Sequence, residues 1–167
     1  MKHIKTYITA VIISLLVVSC KFYNFTGTGD LNAETYQVNF FQNNAPIIEP
    51  GLDRDFTNAL QDLIQNQTSL TLVRSNADLV YEGEIVEYRV SPMSATANNT
   101  AAQNRLTIGV QVRFTHNNRP DDDFDQRFSF FYDYPASSQL SAVQSVAFQE
   151  IFDRLTQDIF NASLANW

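Results

Sequence analysis

Two runs in the second half of the chain alternate between apolar and polar residues, the first of them strictly, and they limit the folds that the chain can form. The first run covers residues 106–114 and the second covers residues 124–133. Alternation with a period of two is typical of a strand that buries one face and exposes the other. A polar turn with Asn117, Asn118 and Pro120 separates the runs. The pattern therefore predicts an antiparallel hairpin with one apolar face and one polar face.

Apolar residues recur at helical spacing in two other segments. In the first, they recur every three or four residues from Leu52 to Ile64, and Asp53 and Asp55 stand where a helix dipole favours carboxylates. The second begins near Leu140 and carries an apolar stripe wide enough to lie on a sheet. We predict helices at residues 52–66 and 140–163.

The remaining strands are predicted from shorter signals. Tyr36, Val38 and Phe40 alternate with polar residues, which indicates a strand with one apolar face. Residues 70–73 are a short strand or an extended entry to residues 79–90, which carry apolar side chains on both parities. The longer strand is therefore expected to be central or twisted, with a bulge at Gly83. A polar connection at residues 91–103 follows.

The order of these elements predicts the fold class. Strand, helix, strands and helix follow one another between residues 35 and 167, and no segment repeats another. Elements in this order form an α+β fold, with two helices packed on one face of a mixed, roughly four-stranded sheet. We expect residues 35–167 to form a single domain.

The N-terminal segment has the pattern of a bacterial lipoprotein signal peptide. Lys2 and Lys5 precede an apolar run at residues 7–18, and the small residue Ser19 stands directly before Cys20. The run is too short for a transmembrane helix, which needs about 20 residues. We predict a signal peptide at residues 1–19, cleavage between Ser19 and Cys20, and acyl chains on Cys20 and its amino group. Residues 20–34 would be a lipidated tether.

The composition narrows the location and the partners. No acidic residue follows Cys20 directly, so the outer membrane, on its periplasmic side, is the expected location. Removal of residues 1–19 leaves nine basic and 18 acidic residues, a net charge of −9. Such an acidic chain lacks the basic footprint of a nucleic-acid-binding protein. With Cys20 lipidated, no disulfide can form.

Catalytic and metal-binding patterns are weak. After the signal peptide, His116 is the only histidine, and it is expected to be a solvated turn residue. The aspartates at 121–123 and 125 lack the glycine and distal glutamate of a calcium loop. Glu82, Glu84 and Glu87 are expected on a polar sheet face rather than in an acid-base pair. We predict no catalytic residue, no metal and no cofactor, and we expect that the protein is not an enzyme.

Three arginines are the candidate ligand contacts. Arg105 and Arg113 share a parity on the first strand of the hairpin, and Arg127 lies on the polar parity of the second. If both helices cover the apolar face, these side chains point outward together as a cationic strip that could bind phosphates of lipopolysaccharide. Alternatively, they pair with Asp125, Asp133 or the glutamates of the central strand.

The chain resembles the lipopolysaccharide-assembly lipoprotein family (LptE-like), in the form found in Bacteroidetes. The resemblance lies in residues 23–27, 40–46, 100–107 and 166–167, and it spans nearly all of the chain after the signal peptide. These motifs are structural rather than catalytic. They identify the family, but they give little information about the mechanism.

The resemblance implies an outer-membrane lipoprotein with two helices on a four-stranded sheet. It also implies a partner, an LptD-like β-barrel translocon that inserts lipopolysaccharide into the outer leaflet, with this protein as a plug inside the barrel. Lipopolysaccharide itself would be a second contact. The alternative is a freestanding periplasmic lipid-binding or carrier lipoprotein, which needs an apolar cavity large enough for acyl chains. A periplasmic hydrolase would need a second polar constellation that this sequence does not show.

Overall fold

The predicted hairpin forms two of the three long strands of the sheet. The structure is a computed structural model, and it describes residues 32–93 and 103–165. The helices are α1 (Leu52–Gln67) and α2 (Leu140–Leu164), and a short 3₁₀ turn, Pro120–Asp122, follows the fifth strand. The strands are β1 (Thr35–Val38), β2 (Gln42–Asn43), β3 (Thr71–Leu72), β4 (Leu79–Met93), β5 (Gln103–His116) and β6 (Phe124–Pro135).

The strands form one mixed sheet in the order β3-β1-β4-β5-β6, and β2 pairs with β4 beyond the end of β1. β1 is parallel to β3 and β4, whereas β4, β5 and β6 form an antiparallel meander. The α+β class is as predicted. The sheet has six strands instead of about four, because the N-terminal strand is divided into β1 and β2 and residues 71–72 pair with β1.

Both helices contribute to a single hydrophobic core with the sheet. α1 begins after Gly51, whose φ of 83° is a conformation that glycine adopts at little cost. Both helices begin where predicted, and each ends one residue later than predicted. None of the helices in the described part of the chain is long and apolar enough to cross a membrane.

A β-bulge in β4 explains why this strand carries apolar residues on both parities. Its register with β5 shifts between Ile85 and Glu87. Because a bulge adds one residue, it moves the following side chains to the opposite parity, and both Ile85 and Tyr88 are buried. The prediction of a bulge at Gly83 is wrong. Gly83 pairs regularly with Val112.

The N-terminal strand also changes parity. Tyr36 and Val38 are buried as predicted, but Phe40 is 54% exposed and Phe41 is fully buried in its place. β1 ends at Val38, and the Phe41 backbone N–H donates to Thr57 Oγ1 on α1 at 3.1 Å. This hydrogen bond to the helix holds Phe41 with its ring in the core. The prediction that Phe40 lies on the buried face is therefore wrong.

Aromatic rings fill the layer between the sheet and the helices. The rings of Phe41 and Phe56 meet edge to face with centroids 5.2 Å apart, and Phe56 meets Phe152 of α2 in the same way at 5.7 Å. On β4, the Tyr81 hydroxyl lies 2.8 Å from Ser163 Oγ of α2. These contacts join β4, α1 and α2 into one packed unit.

Candidate functional site

The sheet face opposite the helices carries most of the charged side chains of the three long strands, and we call it the outer face. Alternation along β5 and β6 sends every second side chain to this face. In β4, the bulge keeps Glu84 and Glu87 on it together. Its charged members are Glu82, Glu84, Glu87 and Arg89 on β4, Arg105 and Arg113 on β5, and Asp125, Arg127 and Asp133 on β6.

Arg113 links all three long strands. Its Nη1 lies 3.2 Å from Glu82 Oε1 on β4, and its Nη2 lies 3.2 Å from Asp125 Oδ2 on β6. Asp125 also accepts a hydrogen bond from the Gln111 side chain. The Gln111 hydrogen bond, with the smaller effect of Arg113, lowers the pKa of Asp125 below its usual value. Asp125 therefore stays ionised and holds this bridge at neutral pH.

Arg105 forms the most regular ion pair of the outer face. Its Nε donates to Asp133 Oδ1 and its Nη2 donates to Asp133 Oδ2, both at 2.7 Å. The guanidinium also lies over the ring of Phe131, 3.5 Å from the centroid. The hydrogen bonds from Arg105 lower the pKa of Asp133. Bidentate geometry and stacking on a ring hold this arginine in one orientation.

The third ion pair crosses β5 above a glycine. Arg127 of β6 donates to Glu87 Oε2 of β4, and Glu87 also accepts a hydrogen bond from Arg89 at 2.9 Å. Gly109 of β5 lies beneath this pair. A Cβ atom at Gly109 would lie 3.1 Å from Glu87 Cβ and 3.3 Å from Arg127 Nη2. The missing side chain therefore leaves room for charges on two non-adjacent strands to meet.

The three predicted arginines lie on the outer face, but they do not form a strip of free positive charge. Each of Arg105, Arg113 and Arg127 is bound to at least one carboxylate. This is the alternative in which they pair with Asp125, Asp133 and the glutamates of β4. The structure does not test phosphate contact by these arginines, which stays a prediction.

A shallow depression of about 380 Å³ lies at the β4 side of the outer face. Its lining includes the exposed ring of Phe40 and the charged groups of Glu82, Glu84 and Arg113. Sequence reasoning missed this feature because it placed Phe40 in the core. The depression combines an apolar edge with charges of both signs.

His116 and the aspartates at residues 121–123 and 125 lie at the turn between β5 and β6, and the structure shows contacts for several of them. His116 is fully buried against the ring of Phe114, so the prediction of a solvated histidine is wrong. The cluster is divided: Asp123 accepts from the His116 backbone N–H at 2.7 Å, and Asp122 pairs with Arg119 at 2.9 Å. Within residues 32–93 and 103–165, no three His, Cys, Asp or Glu side chains are grouped to hold a metal ion.

Some predicted positions lie outside the described residues. These are the cleavage site at Ser19 and Cys20, the lipidated cysteine itself, and parts of the motifs that carry the family resemblance, at residues 23–27, 100–102 and 166–167. The lipid anchor therefore stays a prediction.

Comparison with known protein families decides what kind of chain this is. The family described as LptE, lipopolysaccharide-assembly, matches residues 33–163, which include nearly all of the described domain. The chain belongs to the LptE family. Membership implies a role in lipopolysaccharide assembly and association with a membrane as a lipoprotein. A comparison with curated proteins gives no significant match.

Several solved structures are similar to this LptE-family protein at low sequence identity. The hypothetical protein CT253 from Chlamydia trachomatis has a TM-score of 0.55 at 10% identity, covering 80% of this chain and 99% of its own. A minor lipoprotein from Acinetobacter baumannii has a TM-score of 0.49 at 13% identity, covering 77% and 90%. An uncharacterized lipoprotein B from Nitrosomonas europaea has a TM-score of 0.49 at 13% identity, covering 76% and 79%. The likeness to CT253 shows a shared fold, and at 10% identity it shows nothing beyond the fold.

Proposed function

We propose that this LptE-family protein is an outer-membrane lipoprotein, anchored through Cys20 on the periplasmic side, that acts as a plug and assembly partner of a β-barrel translocon. The barrel would insert lipopolysaccharide into the outer leaflet. The observation that carries the proposal is the outer face, a broad sheet surface on which mixed charges are already matched in pairs. The lumen of a large barrel is polar, so a face of this kind suits it better than an apolar one.

The basic residues of the outer face are all arginines, and this supports a protein contact at that face. Lys21 is the last lysine in the sequence, and all eight basic residues after it are arginines. Protein interfaces are enriched in arginine and depleted in lysine, because the planar guanidinium forms bidentate bonds and stacks on rings. The stacking of Arg105 on Phe131 is an example on this face.

Two exposed aromatic rings add contact area beside these charges. Phe40 is 54% exposed at the depression near β4, and Phe131 is 40% exposed on β6. Aromatic residues at an interface supply a large contact area at low entropic cost. Matched ion pairs flanked by exposed rings are the surface expected of a binding partner rather than of an active site. We therefore propose that the protein has no enzymatic activity.

The packing of the core favours the plug over a freestanding lipid carrier. A carrier needs an apolar cavity for acyl chains, and such a cavity would lie between the sheet and the helices. The edge-to-face contacts of Phe41, Phe56 and Phe152 occupy that layer. Opening it would require these buried rings to separate, which costs free energy through lost packing.

We expect the tagged, full-length protein, purified from detergent-solubilised outer membrane, to bring along a β-barrel protein that mass spectrometry can identify. Depletion of the protein in cells should trap lipopolysaccharide in the periplasm, because an unplugged translocon fails to assemble. An unrelated outer-membrane lipoprotein with the same tag is the control. Recovery as a monomer without a barrel, together with normal surface lipopolysaccharide after depletion, would contradict the proposal.

We also propose that Arg105, Arg113 and Arg127 contact the phosphates of lipopolysaccharide. A phosphate would have to compete with the present carboxylates, and Arg113 and Arg127 are the more accessible of the three. Replacing all three with alanine should weaken binding of the purified protein to lipid A roughly tenfold or more, because charge-assisted hydrogen bonds are lost. Arg54→Ala, which removes the pair with Asp55 on α1, is the matched control. Unchanged binding in the triple variant would exclude this contact.

A further inference from the structure

β6 forms a long edge of the sheet. It pairs with β5 along its whole length, from Phe124 to Pro135, without a register shift. Within the described part of the chain, no strand pairs with its other side. The opposite edge is formed by β3, which has only two residues. An edge strand of this length presents a row of backbone donors and acceptors that can pair with another chain.

The hydrogen-bond pattern identifies which backbone groups of β6 face this edge. The carbonyls of Tyr81 and Ile85 accept from the Asn39 and Asn44 N–H groups. The backbone N–H and C=O groups of these two β4 residues therefore point away from β5. Followed through the β4–β5 and β5–β6 registers, this alternation means that the backbone N–H and C=O groups of the even-numbered β6 residues point toward β5. The N–H and C=O groups that point outward belong to Asp125, Arg127, Ser129, Phe131 and Asp133.

A groove runs beside this edge, between β6 and α2. It has a volume of about 570 Å³, and Phe130 and the 56% exposed side chain of Val146 line it. Glu150 and Asp153 of α2 give the same groove an acidic wall. Arg154 lies 5.6 Å from the Phe130 centroid, and its Nε lies 3.7 Å from Asp158. The groove therefore suits side chains that are apolar or basic.

We propose that an extended segment of the barrel partner adds to the outer edge of β6 as a further strand and places alternate apolar or basic side chains in the groove beside α2. In strand addition, backbone hydrogen bonds supply affinity and pockets for alternate side chains supply specificity, and this edge provides both. The proposal rests on the proposed function for the identity of the partner. The edge is continuous with the outer face, so one partner can contact both.

A second copy of this chain fits the edge less well. Two copies that paired antiparallel through β6 would bring the two α2 grooves together. The acidic walls formed by Glu150 and Asp153 would then face each other, and like charges at close range oppose association. A partner segment with a basic side chain meets the same wall favourably.

A proline at position 129 tests strand addition directly. Ser129 directs its N–H outward, so Ser129→Pro removes an edge donor and leaves the hydrogen bonds to β5 in place. In pull-downs of the full-length protein from outer membrane, we expect Ser129→Pro to reduce the amount of barrel protein recovered by at least about tenfold. Ser129→Ala, which keeps the N–H, should recover the normal amount.

Residue-resolved hydrogen exchange on the unmodified protein provides a measurement that does not depend on a variant that folds. The amides of Arg127, Ser129 and Phe131 should exchange at least about tenfold more slowly in the barrel complex than in the free protein. Those of Phe128 and Phe130 should be slow in both states. Equal exchange at the odd positions, equal recovery of the barrel with Ser129→Pro, or protection of these amides in a homodimer would each overturn strand addition. If the unmodified protein recovers no barrel, the proposed function itself fails.

Discussion

At the residue scale, two glycines on adjacent strands serve different purposes. A Cβ atom on Gly83 would lie 2.0 Å from the Gln111 backbone oxygen and 2.8 Å from Cε1 of the buried Phe41 ring, so neither neighbour can move aside cheaply. A Cβ atom on Gly109 would lie 3.1 Å from Glu87 Cβ, a tight contact, and 3.3 Å from the movable ends of the Glu87 and Arg127 side chains. Gly83 is therefore required by the backbone and the core, whereas Gly109 accommodates an ion pair.

We expect Gly83→Ala to destabilise the protein by about 1–3 kcal/mol or more, as overpacking of a filled core does. Gly109→Ala should stay within about 1 kcal/mol of the unmodified protein, because the lower entropy of alanine in the unfolded chain offsets a tight contact. Urea unfolding of both variants measures the free energy of unfolding. Equal stability of Gly83→Ala and the unmodified protein would show that the backbone of β5 moves freely there.

Residue positions on the outer face could be predicted from the sequence, but their partners could not be chosen. Alternation alone placed Arg105, Arg113 and Arg127 on the polar face. Whether Arg105 meets Asp133 depends on the register of the hairpin, which the polar turn at 116–123 leaves open. His116 was misplaced for a similar reason. It looks like a turn residue in the sequence, but it is the last residue of β5 and lies against Phe114.

At the element scale, regular periodicity in the sequence predicted the strands and helices correctly, but it did not show where strands are interrupted. The hairpin strands and both helices agree with the sequence, because many residues repeat each pattern. The break between β1 and β2 depends on single long-range hydrogen bonds, such as that from the Phe41 N–H to Thr57 on α1. The bulge after Ile85 likewise depends on pairing with β5. Neither contact leaves a local signal in the sequence.

Asp78 joins the start of β1 to the start of β4, and this makes the fold sensitive to acid. Its Oδ2 accepts from the backbone N–H groups of Glu34 and Thr35 and from the Thr35 hydroxyl, at 2.8–3.0 Å. These hydrogen bonds, with that to Glu34 the largest cause, lower the pKa of Asp78 to about 2. A lowered pKa stabilises the folded protein above the usual carboxyl pKa of about 3.9, and this contribution is lost as the pH falls toward 2.

We therefore expect the urea midpoint of the unmodified protein to fall between about pH 4 and pH 2. Asp125 and Asp133, whose pKa values are also lowered, should add to this decrease. Asp78→Asn should begin with a lower midpoint at pH 6 and lose less of it over the same range. Identical pH profiles for the two proteins would show that Asp78 contributes no acid-dependent stability.

At the scale of the whole molecule, the two faces of the sheet have separate roles. The inner face is covered by α1 and α2 and holds the fold together through buried rings. The outer face carries matched ion pairs and the exposed rings of Phe40 and Phe131, and β6 presents its edge beside it. In the proposed function, the inner face makes the plug rigid, and the outer face and the β6 edge meet the barrel.

Site-specific photo-cross-linking from the centre of the outer face tests this account most directly. A photoreactive residue in place of Gln111, in the full-length protein in cells, should form a covalent adduct with the chain of the barrel translocon. A sample kept in the dark is the control, and peptide-level mass spectrometry identifies the attached segment. An adduct that contains the barrel is the predicted result. No adduct, or only an adduct with a second copy of this chain, would contradict the claim that the outer face meets the barrel.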